Sequence, residues 1–120
     1  MTSSDPRLDV LKTFKMYVNG AFPRSESGRS EIIRDRAGTV IGHSCRASRK
    51  DLRDAVLAAR SGLAKWKGST AYLRGQILYR MAEMLQGKRA EFIALLGEVE
   101  SSIKPAEEVD AAIDRLVHYA

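Results

Sequence analysis

Residues 38–66 read "GTVIGHSCRASRKDLRDAVLAARSGLAKW", and the pattern of apolar residues changes part-way along them. Up to Cys45 the stretch is short, β-prone and preceded by a glycine, which predicts a strand over residues 39–45. At Ser48 the period becomes helical. "SRKD" fits a capping box, in which the Ser48 hydroxyl accepts from the backbone N–H near Asp51 and the Asp51 carboxylate reaches back. Leu52, Ala55, Val56, Ala59, Leu63 and Trp66 then recur along one helical face. Alanines on the inward side of that helix would let another element approach closely. The junction therefore divides the chain into strands before it and helices after it.

Working towards the N-terminus, Asp35 and Gly38 mark a turn, and residues 30–34 form a second strand candidate. "PRSESGRS" is polar, with Pro and Gly, and reads as a loop. "KMYVNGAF" gives two short β-prone runs around Asn19-Gly20, a pair that supplies the positive φ angles of a type I′ hairpin turn. Residues 1–14 read as a flexible leader, with a short helical turn expected between residues 8 and 14. The front of the protein is expected to be a pair of hairpins or a small meander.

Working towards the C-terminus, "KGST" ends the first helix, and Ser69 or Thr70 can cap the next. Leu73, Ile77, Leu78, Met81 and Leu85 form its apolar face. Gly87 is expected to bend or interrupt it before it resumes through Phe92, Ile93, Leu95, Leu96 and Val99. "SSIKP" is another break, and Pro105 suits a first helical turn, where its missing N–H would be unpaired anyway. Val109, Ala112, Ile113, Leu116, Val117 and Ala120 line one side of the last helix. No Gly, Asn or Pro stop follows, so that helix reads as one that continues. Hairpins followed by three amphipathic helical segments carry more apolar helix surface than two hairpins can cover. A second layer, a β-sheet from other polypeptide, is expected to complete the packing.

Composition narrows the function classes. A hydrophobic fraction of 44% with 29% charged residues describes an ordinary globular protein of at most one domain. The longest apolar run, in "FIALLGEV", is far too short to span a bilayer, and the first residues lack the order of a signal peptide. With a single cysteine, Cys45, unable to form an internal disulfide, a reducing, cytoplasmic setting is expected. The net charge of +5 invites a nucleic-acid reading. Acids interrupt the most basic patch, "RASRKDLRD", and no aromatics are interleaved as stacking platforms, so no nucleic-acid partner is expected.

Reactive groups are sparse. Cys45 could act as a nucleophile with His43, two residues away on one strand face, as its base; a half-buried strand cysteine beside an exposed histidine is the plainer reading. His118 lies near the apolar edge of the last helix, and two histidines with one cysteine give no metal-ligand spacing. Glu98, Glu100, Glu107, Glu108, Asp110 and Asp114 are placed for solvated helix faces. Met81, Met84 and Tyr79 read as core and rim. No glycine-rich phosphate loop is present.

The ordered motifs nonetheless resemble a known family. "YVNGAF", "RDRAGTVIGHSCRASRKDLRDAVLAARSGLAKW", "RGQILYRMAEMLQGKRAEFIALLGEVE" and "EEVDAAIDRLVHYA" together resemble the N-terminal quarter of the aldehyde dehydrogenase superfamily. The matching pieces are residues 17–20, 38–41, 47–66, 74–85 and 108–120, and the likeness spans roughly residues 16–120. Three departures stand out: Asp35-Arg36 where Asn-Pro is common, Ile103-Lys104-Pro105 for Gly-Lys-Pro, and His118-Tyr119-Ala120 for Tyr-Tyr-Ala.

The resemblance implies an α/β family fold represented here only by its N-terminal part, with residues 15–120 an incomplete piece of a cofactor-binding domain. It implies NAD or NADP as cofactor of the intact enzyme and none bound by this chain alone. The intact enzyme would oxidise an aldehyde through a cysteine thiohemiacetal, with hydride transfer to nicotinamide and thioester hydrolysis. The expected partners are the remainder of the dehydrogenase chain and, for the whole enzyme, further copies. The family's catalytic cysteine, glutamate base and cofactor motifs fall later in the chain, so no catalytic, cofactor-binding or metal residue is carried over, and Cys45 is not the nucleophile. Some relatives hold a monovalent cation near the early hairpin and last helix; Glu108 is the carboxylate nearest that description, without being assigned to it. The alternative is a non-catalytic truncated paralogue or a small protein-interaction module.

Overall fold

Three strands form one small sheet in the order β1-β3-β2, with β1 Thr13–Phe14, β2 Ser30–Arg34 and β3 Val40–Cys45. The computed structural model describes residues 8, 10–99 and 102–120. β2 and β3 pair antiparallel, with Ile32 opposite His43 and Ile33 opposite Gly42, and the register shifts between Ile33 and Arg34. The turn between them is held by Asp35, whose carboxylate accepts from the N–H groups of Ala37 and Thr39 at 3.0 and 2.9 Å. Gly38 there takes φ +87°, a left-handed conformation that costs glycine little.

The front of the chain forms both expected hairpins and adds a strand to the second of them. Asn19 and Gly20 do adopt positive φ, and Val18 and Ala21 bond across them with Tyr17 and Phe22 ring to ring at 5.0 Å. That hairpin is short, with one further bond from Met16 N–H to Pro23 O at 3.1 Å, and stands outside the sheet. β3 takes its second partner from β1, in parallel, with Thr13 beside His43. Among the described residues of 8–14 no helical turn forms, and Thr13–Phe14 pair as a strand instead. Local propensity gave way to a row of unpaired groups on β3, which Lys12 C=O and its neighbours satisfy (His43 N–H to Lys12 O, 2.9 Å). Residues 1–7 and 9, most of the expected leader, lie outside the described residues. Gly42 permits the close passage of β1: a Cβ there would lie 3.1 Å from Lys12 O and 3.2 Å from the Phe14 ring.

Four helices follow: α1 Arg49–Gly68, α2 Ala71–Gly87, α3 Arg89–Val99 and α4 Pro105–Tyr119. The Ser48 capping box forms in full, Thr70 rather than Ser69 caps α2, and Pro105 opens α4. Gly87 ends α2, and the chain restarts as α3 after Lys88. α2, α3 and α4 pack on one another, while no strand or helix among the described residues packs along α1. Its alanine-bearing face is therefore uncovered, contrary to the expectation of a buried side, with Leu52 65% and Leu63 57% exposed.

The apolar face expected for α2 is also mostly outside the contact. Ala82 of α2, at 3% exposure, and Val109 of α4, at 4%, are the buried apolar residues where these helices pack. Gly75 and Ala82 let α4 come near; a Cβ on Gly75 would lie 2.9 Å from the carbonyl carbon of Ala120. Leu73, Ile77 and Met81 remain exposed. Met84 and Tyr79, read with Met81 as core and rim, are exposed as well.

Candidate functional site

The junction of β3 with α1 carries the densest polar network. Asp51 accepts from Ser25 Oγ at 2.6 Å and from Ser48 N–H at 2.8 Å. Ser25 is buried, and its oxygen lies 2.8 Å from Ser27 Oγ, which in turn donates to the Arg46 carbonyl at 2.9 Å. Glu26 lies 3.2 Å from both Ser48 Oγ and Lys50 Nζ. The loop at residues 23–29 is thereby fastened onto the first turn of α1. The Ser25 hydroxyl, then the Ser48 amide, hold the Asp51 carboxyl below its ordinary value of 3.8.

This junction also bears on the expected dinucleotide. A pyrophosphate is held where a strand passes through a glycine turn into a helix with free N-terminal N–H groups. Here β3 enters α1 through Arg46-Ala47-Ser48, without glycine, and the helix end is occupied by its own Ser48 hydroxyl and Asp51 carboxylate. Glu26 adds a second negative charge beside it. These residues do not fit a nicotinamide dinucleotide.

His43 and Cys45 both sit on β3, half-buried, and their positions two apart place them on one sheet face. The His43 amide serves the β1 pairing, Cys45 is free and opposite Ser30, and no hydrogen bond joins the two side chains. A nucleophile and base within bonding reach are not assembled there. His118 lies in the last turn of α4, edge-on to Tyr119 at 4.8 Å. Glu108 is exposed in the first turn of α4, whereas the Asn-Gly hairpin lies beside the start of α1, sharing a depression with Lys50, Asp51 and Asp54. Glu108 does not line that depression, and no group of three or more His, Cys, Asp or Glu among the described residues could hold a metal.

The remaining carboxylates are structural or solvated. Asp110 takes a two-pronged grip from Arg89, Nε to Oδ1 at 2.7 Å and Nη2 to Oδ2 at 3.0 Å, joining α3 to α4. Each partner favours the other's charged form, so Asp110 titrates below its usual range and Arg89 above. Glu107 pairs with Lys104 at 3.8 Å, Glu98 and Asp114 are exposed, and Glu100 lies outside the described residues.

What the sequence reading did not find is the Arg36 link. Arg36 N–H donates to the Glu98 carbonyl at 2.9 Å and its guanidinium approaches Gly97 O at 3.5 Å, at the negative end of α3. The sequence signal was the unusual Asp35-Arg36 turn itself.

The broadest feature is apolar surface. Between α2 and the last turns of α4 runs an open groove of about 690 Å³, lined by Tyr72, Gly75, Tyr79, Val117 and Ala120 with Arg80 and Glu83 at its rim. Leu78 and Leu116 flank a second depression of about 410 Å³. The face of α1 is bare as well, and the molecule has 10047 Å² accessible, against roughly 6,500 Å² for a closed globule of 13.3 kDa.

A sequence profile described as the aldehyde dehydrogenase family matches residues 22–120. The chain belongs to that family. It is similar, at 33% identity over 109 residues, to the D-glyceraldehyde dehydrogenase (NADP(+)) of Thermoplasma acidophilum, covering 88% of this chain but 22% of the relative. Among solved structures, the NAD-dependent benzaldehyde dehydrogenase of Corynebacterium glutamicum superposes with a TM-score of 0.80 at 27% identity, over 87% of this chain and 23% of that one. A Bacillus cereus aldehyde dehydrogenase carrying the G224D change gives 0.83 at 24% identity, over 89% and 23%, and so shares the fold. The chain thus spans less than a quarter of the length of each of these relatives, and its fold is that of an N-terminal segment of the family's α/β architecture.

Proposed function

We propose that this chain is the N-terminal portion of an NAD(P)-dependent aldehyde dehydrogenase that oxidises an aldehyde to a carboxylic acid. In this reading the helices and hairpin form an outer layer over a cofactor-binding domain supplied by the remaining polypeptide, and the 120-residue chain alone is inactive. The carrying observation is the uncovered apolar surface of α1, α2 and α4 on a chain that spans 22% of its glyceraldehyde-oxidising relative. The relatives' names include both NAD and NADP and two different aldehydes, so the reading extends to the substrate class and either dinucleotide. A homo-oligomer in the cytoplasm completes the proposal for the whole enzyme; no helix among the described residues is long and apolar enough to cross a membrane.

An assay of the purified chain with short aliphatic and aromatic aldehydes and NAD or NADP tests the inactivity. No aldehyde-dependent absorbance change at the reduced nicotinamide band is expected. Turnover that disappears in Cys45→Ser would overturn the reading, because it would make the strand cysteine a nucleophile.

A further inference from the structure

We draw no further inference here: the strongest candidate, the open groove between α2 and the last turns of α4 lined by Tyr72, Tyr79 and Val117, belongs to the apolar surface already described, and nothing in the structure shows a different occupant for it.

Discussion

Asp51 shows how much local order one side chain can impose. Its carboxylate closes the α1 cap and also reaches 26 positions back in the chain to Ser25. Because the folded state lowers its pKa, the unfolded chain binds the proton more readily in acid. The stabilisation it gives is complete above the ordinary value of 3.8 and is lost as pH falls through the lower folded value. A carboxyl NMR titration should place the Asp51 midpoint below the ordinary value of 3.8, with the Ser25 amide signal moving in step; a midpoint at or above that value would contradict the network. Ser48→Ala removes the cap hydroxyl and should cost about 1 kcal/mol of helix stability. Gly42 makes the opposite demand, for no side chain. Gly42→Ala puts a methyl group against the Lys12 carbonyl and the Phe14 ring, so β1 must withdraw, at a cost of about 1–3 kcal/mol. Faster hydrogen exchange at the His43 amide would register that withdrawal, whereas unchanged protection would mean that the strand pair absorbs the methyl. The capping box was legible from "SRKD" because both partners lie within one turn. Ser25 was not, since its loop gives no sequence cue to the distant carboxylate.

At the scale of elements, the legible parts are those whose reasons are local. β2, β3, the Gly38 turn, the Pro105 start and the division at Gly87 all follow from nearby residues. β1 is two residues long and exists through its parallel pairing with β3, about 30 positions away, which no window of sequence contains. The face of α2 that packs within the chain was not legible for a related reason. Apolarity picked out Leu73, Ile77 and Met81, but steric room picked Gly75 and Ala82 for the contact with α4. The Arg89–Asp110 pair then fixes how α3 meets α4. Both groups are partly exposed, so salt should weaken the pair. Asp110→Asn and Arg89→Gln should each lower the chain's helical ellipticity slightly, and the double variant should lose less than their sum. Strict additivity in that cycle would show that the two-pronged grip contributes nothing in solution. Acid should mimic Asp110→Asn only once the pH has fallen past the ordinary value of 3.8 and through the lower folded value, where the carboxyl gains its proton.

For the molecule as a whole, extent and coverage decide between a finished domain and a layer. The radius of gyration is 18.4 Å, where roughly 14 Å is usual for a compact domain of 120 residues. The described apolar residues buried below a tenth of their surface are Ala82 and Val109, which are too few to stabilise four helices against the loss of chain entropy. The sequence foresaw this surplus by counting apolar helix faces against the strands available to cover them. It could not show that α1 would stand apart from the other helices, because an amphipathic pattern marks a face to be covered without naming the cover. The physical expectation for the chain in dilute solution is helical content without a fixed interior. Anilinonaphthalene sulfonate should bind and fluoresce, and heating should give a broad loss of far-ultraviolet ellipticity with little near-ultraviolet signal from Trp66. Charged substitutions on the bare faces, such as Leu63→Glu in α1 or Val117→Glu in α4, should then reduce dye binding without lowering helicity, since neither side chain is buried within the chain. A sharp, two-state transition with no dye signal and a scattering radius near 14 Å would mean that the helices fold back on one another. In that event Leu63→Glu would cost several kcal/mol, the penalty of placing an unpaired carboxylate in a core, and the proposal of an outer layer awaiting the rest of a dehydrogenase would fail.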